Sequence, residues 1–363
     1  MPEKLVRDCV LRLRPYVPGK PIEEVEREFG ISNIIKLASN ENPLGPSPAA
    51  LAAMTRALKN VSLYPDGNCF SLRKALAKHL GVEQDQLIFG CGSDEIIYYL
   101  GLAFLGAGDE TVQSTTTFSE YETIATICDC KANMVPIKNY DLDLDAMIDR
   151  INDHTKLVFM ANPNNPTGTM VTHADVEKLL SHLPENCLLV LDEAYCEYVE
   201  RSDYPDALKL ISEGKNVVAL RTFSKVYGLA GLRIGYGIAR PDIIRYLEQV
   251  RAPFNVNSIA QAGAIASLDD PGQVERSRKM NSQGKTYLYG EFDRLGLSYA
   301  PTEANFIFVD VQRDSVEVFK ELLKRGIIIR TGDIFGMPTH IRVTVGTPEQ
   351  NARFIQTLEE VLS

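Results

Sequence analysis

The chain has 363 residues, 45% of them hydrophobic and 24% charged, close to the average for a globular protein. At roughly 100–200 residues per domain this suggests two or three domains with a large buried core, and it excludes disordered or low-complexity architectures. A net charge of −10, with no basic stripe, argues against nucleic acid or anionic membrane surfaces as partners.

Residues 1–45 read as an irregular arm rich in proline (Pro15, Pro18, Pro21, Pro43). The opening Met1-Pro2-Glu3-Lys4 lacks a signal-peptide core. The longest apolar run, Ile96 to Ala107, is interrupted by Gly101 and Gly106. It falls short of the roughly 18 residues of a membrane span, so a cytoplasmic protein is expected. Short apolar runs bounded by turn residues predict buried strands at Leu87–Phe89, Leu157–Ala161, Cys187–Leu191, Val217–Leu220 and Ile234–Ile238. Helical spacing links Ile96, Ile97 and Leu100, and again Val176, Leu179, Leu180 and Leu183. Such alternation implies an α/β fold whose mostly parallel sheet lies between helices. After Pro253 a helix-rich stretch gives way to strand candidates Asn305–Val309, Ile327–Arg330 and His340–Val345, then a helix from Pro348. The expected organisation is an arm over 1–45 joining the small domain, a large domain over 46–254, and a smaller α+β domain over 255–363.

Two nucleotide-binding motifs fail on inspection. Gly284-Lys285-Thr286 resembles the end of a P-loop, but the first glycine of that motif would be position 279, which is Lys279. Gly90-Cys91-Gly92 begins a dinucleotide fingerprint, but position 95 is Glu95. The seven cysteines (9, 69, 91, 128, 130, 187, 196) form no C-x-x-C, and the histidines form no H-E-x-x-H. Reduced cysteines and no metal are expected.

The chemistry gathers at strand ends. Lys225 follows Val217–Leu220 inside Thr222-Phe223-Ser224-Lys225, and Gly228, Gly231 and Arg233 come soon after. A lysine there points into the crevice where open α/β sheets bind ligands. Hydroxyls at Thr222 and Ser224 and the Arg233 fork suit a phosphate. Asp192 ends another strand. Asn162 to Gly168 follows a third, and Gly90 to Glu95 follows a fourth and opens a helix whose free N–H groups can bind phosphate. Phosphate cradle, carboxylate, amide and lysine together match the needs of pyridoxal phosphate.

The chain resembles the fold-type-I pyridoxal-phosphate aminotransferases, class II subgroup, and within them the histidinol-phosphate aminotransferases. The resemblance rests on Leu13 to Gly19, Leu37 to Gly45, Tyr64-Pro65-Asp66, Gly92 to Glu95, Thr117-Phe118-Ser119, Asn162 to Gly168, Asp192-Glu193-Ala194-Tyr195, Ser224 to Arg233 and Arg342 to Gly346. These stretches run in the family's order over nearly the whole chain. One stretch departs: Ser114-Thr115-Thr116-Thr117-Phe118, where relatives often carry a proline before the threonine.

The resemblance implies that Lys225 links to the cofactor aldehyde and shuttles the proton between Cα and C4′. Asp192 keeps the pyridine nitrogen protonated, and Asn165 and Tyr195 donate to the phenolate oxygen. Phe118 stacks on the ring. Ser93, Asp94, Thr222, Ser224 and Arg233 surround the phosphate, Asp94 chiefly through its backbone N–H. Tyr64 resembles the tyrosine that reaches the phosphate from the partner subunit, which implies a homodimer with shared active sites. Arg342 resembles the substrate-carboxylate arginine, and Tyr16, Asn42 and Arg330 resemble substrate-pocket positions. The implied reaction converts L-histidinol phosphate and 2-oxoglutarate to imidazole acetol phosphate and glutamate, in histidine biosynthesis. An aromatic amino-acid aminotransferase and an amino-acid-phosphate decarboxylase of the same fold remain as alternatives.

Overall fold

The computed structural model describes residues 5–13, 15 and 19–363; Tyr16 lies outside them. Its strands are β1 (Ile35–Lys36), β2 (Leu87–Gly90), β3 (Glu110–Ser114), β4 (Lys131–Val135), β5 (Thr155–Ala161), β6 (Leu188–Asp192), β7 (Val217–Thr222), β8 (Gly235–Ile238), β9 (Ser298–Ala300), β10 (Phe306–Asp310), β11 (Ile327–Ile328), β12 (Arg330–Thr331) and β13 (His340–Thr344). The main sheet runs β2-β8-β7-β6-β5-β3-β4. It is parallel from β7 through β4, and β8 lies antiparallel between β7 and β2.

Successive side chains of a strand face opposite sides, and here both sides are buried. Leu189, Leu191, Val217 and Ala219 enter one core, while Leu188, Val190, Val218 and Leu220 enter the other. That is why these segments read as continuous apolar runs rather than alternating ones. β3 and β4 escaped the sequence reading because β3 is polar and yet buried. The Thr111 hydroxyl donates there to Gln113 Oε1 at 2.8 Å.

A second sheet, β12-β13-β10-β9, is antiparallel and packs under the helices Pro271–Arg294, Ser315–Lys324 and Pro348–Leu362. The last helix starts as expected: Thr347 caps it, Pro348 takes the first turn, and Gln350 closes a capping box. The candidate strand Ile327–Arg330 is split between two sheets. Ile327 and Ile328 pair in parallel with Ile35 and Lys36, while Arg330 and Thr331 pair with β13.

The proline-rich segment is also more ordered than its composition suggests. Ile22–Phe29 is helical, because Val25 buries against Ala38, Leu323 and Ile328. Among the described residues no helix is long and apolar enough to cross a membrane.

One face of the 24-residue helix Pro271–Arg294 carries Gln273, Ser277, Asn281 and Lys285 at four-residue spacing. They donate to the carbonyls of Gly45 (2.8 Å), Val226 (3.4 Å), Ala304 (3.0 Å) and Thr302 (3.2 Å). The P-loop-like Gly284-Lys285-Thr286 is therefore the middle of a helix, and its lysine serves as a tether between loops.

Candidate active site

The C-terminal ends of β2, β5, β6 and β7 share one edge of the main sheet. Beyond β2, Gly92 caps the helix Ser93–Phe104 without any side-chain cap, so its first N–H groups face outward. β8 passes close beneath. A Cβ on Gly235 would lie 2.3 Å from the Ser93 nitrogen, so only glycine fits there.

Arg233 sits in the left-handed region at φ 54°, a conformation that costs energy for a non-glycine residue. Its guanidinium turns back to Asp94 Oδ2 (3.0 Å), Ser224 Oγ (3.5 Å) and the Ala230 carbonyl (3.3 Å). The Asp94 carboxylate thus orients the arginine, a role beyond its backbone N–H. Thr222 Oγ1 accepts from the Ser224 N–H at 3.0 Å, which fixes the turn into Lys225. Ser93, Asp94, Thr222, Ser224 and Arg233 form one cradle.

Asp192, the last residue of β6, is buried (6% exposed). Its carboxylate accepts from the Tyr121 hydroxyl at 2.7 Å and from the Ala194 N–H at 3.2 Å. Burial pushes its pKa up to about 6, against the opposing pull of Tyr121 and Lys225. Tyr121 is fully buried and stacks on Phe159 with ring centroids 4.8 Å apart. Phe118 meets its edge at 5.7 Å. Sequence reasoning missed Tyr121. Its only signal is its place three residues after Phe118, in the first turn of the helix that follows.

Lys225 Nζ donates to the Ser39 carbonyl at 3.1 Å and lies 5.6 Å from the Tyr195 ring. The Tyr195 hydroxyl accepts from Asn40 Nδ2 at 2.9 Å. Asn164 holds the Phe118 loop, accepting from Thr117 Oγ1 at 2.8 Å and donating to the Thr116 carbonyl at 3.0 Å. Where relatives often carry proline, the Thr116 hydroxyl donates to the Phe335 carbonyl at 3.1 Å. Proline could make no such bond.

Arg342 on β13 is 6% exposed. It donates to the Ala38 carbonyl at 2.6 Å and to Asn165 Oδ1, and lies between the Phe306 and Phe335 rings, at 5.3 and 5.9 Å. That bond engages the Asn165 side-chain oxygen. Arg330 stands directly opposite Arg342 in the antiparallel register, so both side chains leave the same face.

Asn42 is 7% exposed, and its amide is engaged by Val226, Ser277 and Leu44. Tyr64 is 83% exposed and stacks on Phe254 at 4.9 Å. Within its own chain it shares no hydrogen bond with the cradle.

This architecture is that of the fold-type-I aminotransferases, and residues 32–358 match the family Aminotransferase class I and II. The chain belongs to that family. Histidinol-phosphate aminotransferase from Moorella thermoacetica is 55% identical to it, over 98% of this chain and 93% of the relative. Histidinol-phosphate aminotransferase 2 from Carboxydothermus hydrogenoformans is 49% identical, over 99% of both. Among solved structures, histidinol-phosphate aminotransferase from Sinorhizobium meliloti, in complex with pyridoxal-5′-phosphate, superposes with a TM-score of 0.91. It is 29% identical, and the match covers 98% of this chain and 97% of that one.

Proposed function

We infer that this chain is a pyridoxal-phosphate-dependent histidinol-phosphate aminotransferase of histidine biosynthesis. It passes the amino group of L-histidinol phosphate to 2-oxoglutarate, giving imidazole acetol phosphate and glutamate. The observation that carries the reading is the grouping of Lys225, the buried Asp192 and the Arg233–Asp94–Ser224 cluster at one edge of the main sheet, with Arg330 and Arg342 paired on the second sheet.

The residues present fit pyridoxal phosphate. Ser93, Asp94, Thr222, Ser224 and Arg233 hold its phosphate, with the uncapped helix start supplying N–H donors. Asp192 holds the proton on the pyridine nitrogen, Asn165 and Tyr195 donate to the phenolic oxygen, and Phe118 covers a ring face. When bound, the cofactor supplies the electron sink that stabilises negative charge at the substrate α-carbon. Lys225 Nζ would hold the cofactor aldehyde and, once displaced from it by the substrate's amino group, would be free to take up and return the proton of the substrate α-carbon. Arg342 and Arg330 receive the anions of the two substrates in turn, since the guanidinium fork matches carboxylate and phosphate alike. The two half-reactions alternate at one site.

Tyr64 serves the cradle of a second protomer, making the working unit a homodimer with shared sites in the cytoplasm. The division into an arm (1–45), a large domain (46–254) and a small domain (255–363) puts Arg330 and Arg342 on the body opposite the cofactor.

Steady-state kinetics with histidinol phosphate and with phenylalanine as donors, scoring glutamate formed from 2-oxoglutarate, test the assignment. Histidinol phosphate should give the higher kcat/KM. A preference for phenylalanine, or carbon dioxide release in place of glutamate, overturns it.

A further inference from the structure

The geometry points to Asn42 as a positioning residue for Lys225, acting through the Val226 carbonyl, in place of the substrate contact that the family resemblance implies. This rests on the reading of Lys225 as the cofactor-bearing amine.

A side-chain amide has two hydrogens to give, and Asn42 gives both to the protein. One goes to the Val226 carbonyl at 2.7 Å and the other to Ser277 Oγ at 2.8 Å. Its oxygen accepts from the Leu44 N–H at 3.0 Å. No donor remains for a substrate. Val226 directly follows Lys225 and is fully buried, and its carbonyl is met a second time by the Ser277 hydroxyl at 3.4 Å.

The turn after the lysine is gripped further along. The Lys225 carbonyl accepts from the Gly228 N–H at 3.0 Å. Gly228, at φ 67°, packs on the 42–45 loop so closely that a Cβ would lie 2.4 Å from the Gly45 carbonyl. Gln273 holds that same carbonyl at 2.8 Å. Ser39, from the same segment, accepts from Lys225 Nζ itself. Residues 39–45 and one face of the helix Pro271–Arg294 thus fix the lysine at its tip and at the turn behind it.

Proton delivery by an amine depends on its placement, and an error of about 1 Å can cost on the order of a hundredfold in rate. Two buried side chains converging on one carbonyl beside the lysine suit that demand. Holding a carbonyl directly next to Lys225 would serve a substrate contact in no way.

The test uses holoenzyme carrying Asn42→Ala, Asn42→Asp or Ser277→Ala. Three readouts are taken: kcat and KM with histidinol phosphate and with glutamate, the melting temperature, and the pH titration of the bound cofactor's visible absorption without substrate. Asn42→Asp keeps the shape and the Leu44 bond but loses both donors. Both Asn42 variants should lower kcat roughly ten- to a hundredfold with either donor, leave both KM values within about twofold, and move the titration midpoint. Ser277→Ala should do the same more weakly, because the bond from Asn42 to Val226 survives. It also carries the test if the Asn42 variants fail to fold.

A rise in KM for one donor at unchanged kcat would make Asn42 a substrate contact and overturn the proposal. A lower melting temperature with unchanged kcat and titration would reduce it to fold stability and overturn it equally. Absence of the visible band from the wild-type protein would overturn the reading of Lys225, and this proposal with it.

Discussion

The two walls of the proposed site are built on opposite plans. The cradle draws on one sheet edge, where Ser93 and Asp94 at a helix start meet Thr222, Ser224 and Arg233 from the turn after β7. Much of it is backbone N–H at a helix start, and the Arg233 side chain is 44% exposed beside Asp94. The facing wall depends on side chains alone. Arg342 is buried, held between two phenylalanine rings, and anchored to Ala38 and Asn165 far away in sequence. Backbone donors survive a change of side chain other than to proline, whereas a wall of two guanidinium groups does not. The cradle suits a ligand that stays, and the arginine wall suits anions that exchange.

Lys225 belongs to neither wall, and removing it should separate their functions most sharply. Lys225→Ala should lower turnover by roughly 10²–10⁴-fold or more, as general acid–base groups do. Equilibrium dialysis should still find cofactor held by the cradle, without its lysine-dependent visible band. Substantial multiple-turnover transamination by this variant, within about tenfold of wild type, would end the assignment.

Arg342→Ala attacks the side-chain wall. A hydrogen bond to a charged group is worth about 1.5–3 kcal/mol, so kcat/KM should fall roughly tenfold or more with both donors while the cofactor band persists. A variant that melts early yet keeps wild-type kcat/KM would make Arg342 a structural ion-pairing residue and erase the contrast.

Arg233→Ala attacks the cradle and should do less. Solvent screens a half-exposed guanidinium, and the helix N–H groups remain. Cofactor affinity should weaken by about tenfold or less, with kcat at saturating cofactor nearly retained. A collapse of kcat at saturation would show that the cradle also shapes the chemistry.

Tyr121→Phe gives an effect set by pH. Asp192 titrates at about 6 in the cofactor-free protein, above its ordinary value, because it is buried. Protonating it removes the charge that a pyridinium needs, so cofactor affinity should fall as pH falls through that range. The Tyr121 hydroxyl favours the carboxylate. Without it the midpoint should move to higher pH, with little change well above it. Binding titrations from pH 5 to 8 check this, and an unmoved midpoint would remove Tyr121 from the site.

The smallest effect belongs to Tyr64→Phe, a modest loss of cofactor affinity. Mixing it with Lys225→Ala protein should create heterodimers holding one intact site. At a cofactor concentration that leaves the Tyr64→Phe protein largely empty, no gain of activity on mixing would count against a shared site.

Legibility in the sequence followed locality. Lys225, Asp192 and the Gly90–Glu95 turn could be placed at strand ends because buried parallel strands are unbroken apolar runs that stop at polar residues. β3 escaped because it buries the polar Thr111 and Gln113, with the Thr111 hydroxyl bonded to the Gln113 side-chain oxygen, which no periodicity reports. Tyr121 escaped because a tyrosine at helical spacing looks like core, and only the placement of Asp192 from β6 above it gives it a partner.

By itself, then, the sequence determined the α/β class, the motifs at the sheet edge and the resemblance that names their chemistry. Each of these is carried by neighbouring residues whose backbone conformation and burial they set themselves. Tertiary structure alone decided that Arg330 and Arg342 stand side by side, that Asp94 aims Arg233, and that Asn42 faces a backbone carbonyl. Those relations depend on the register between strands and on loops that meet across hundreds of residues. Such contacts form only when the two sheets and the long helix pack together.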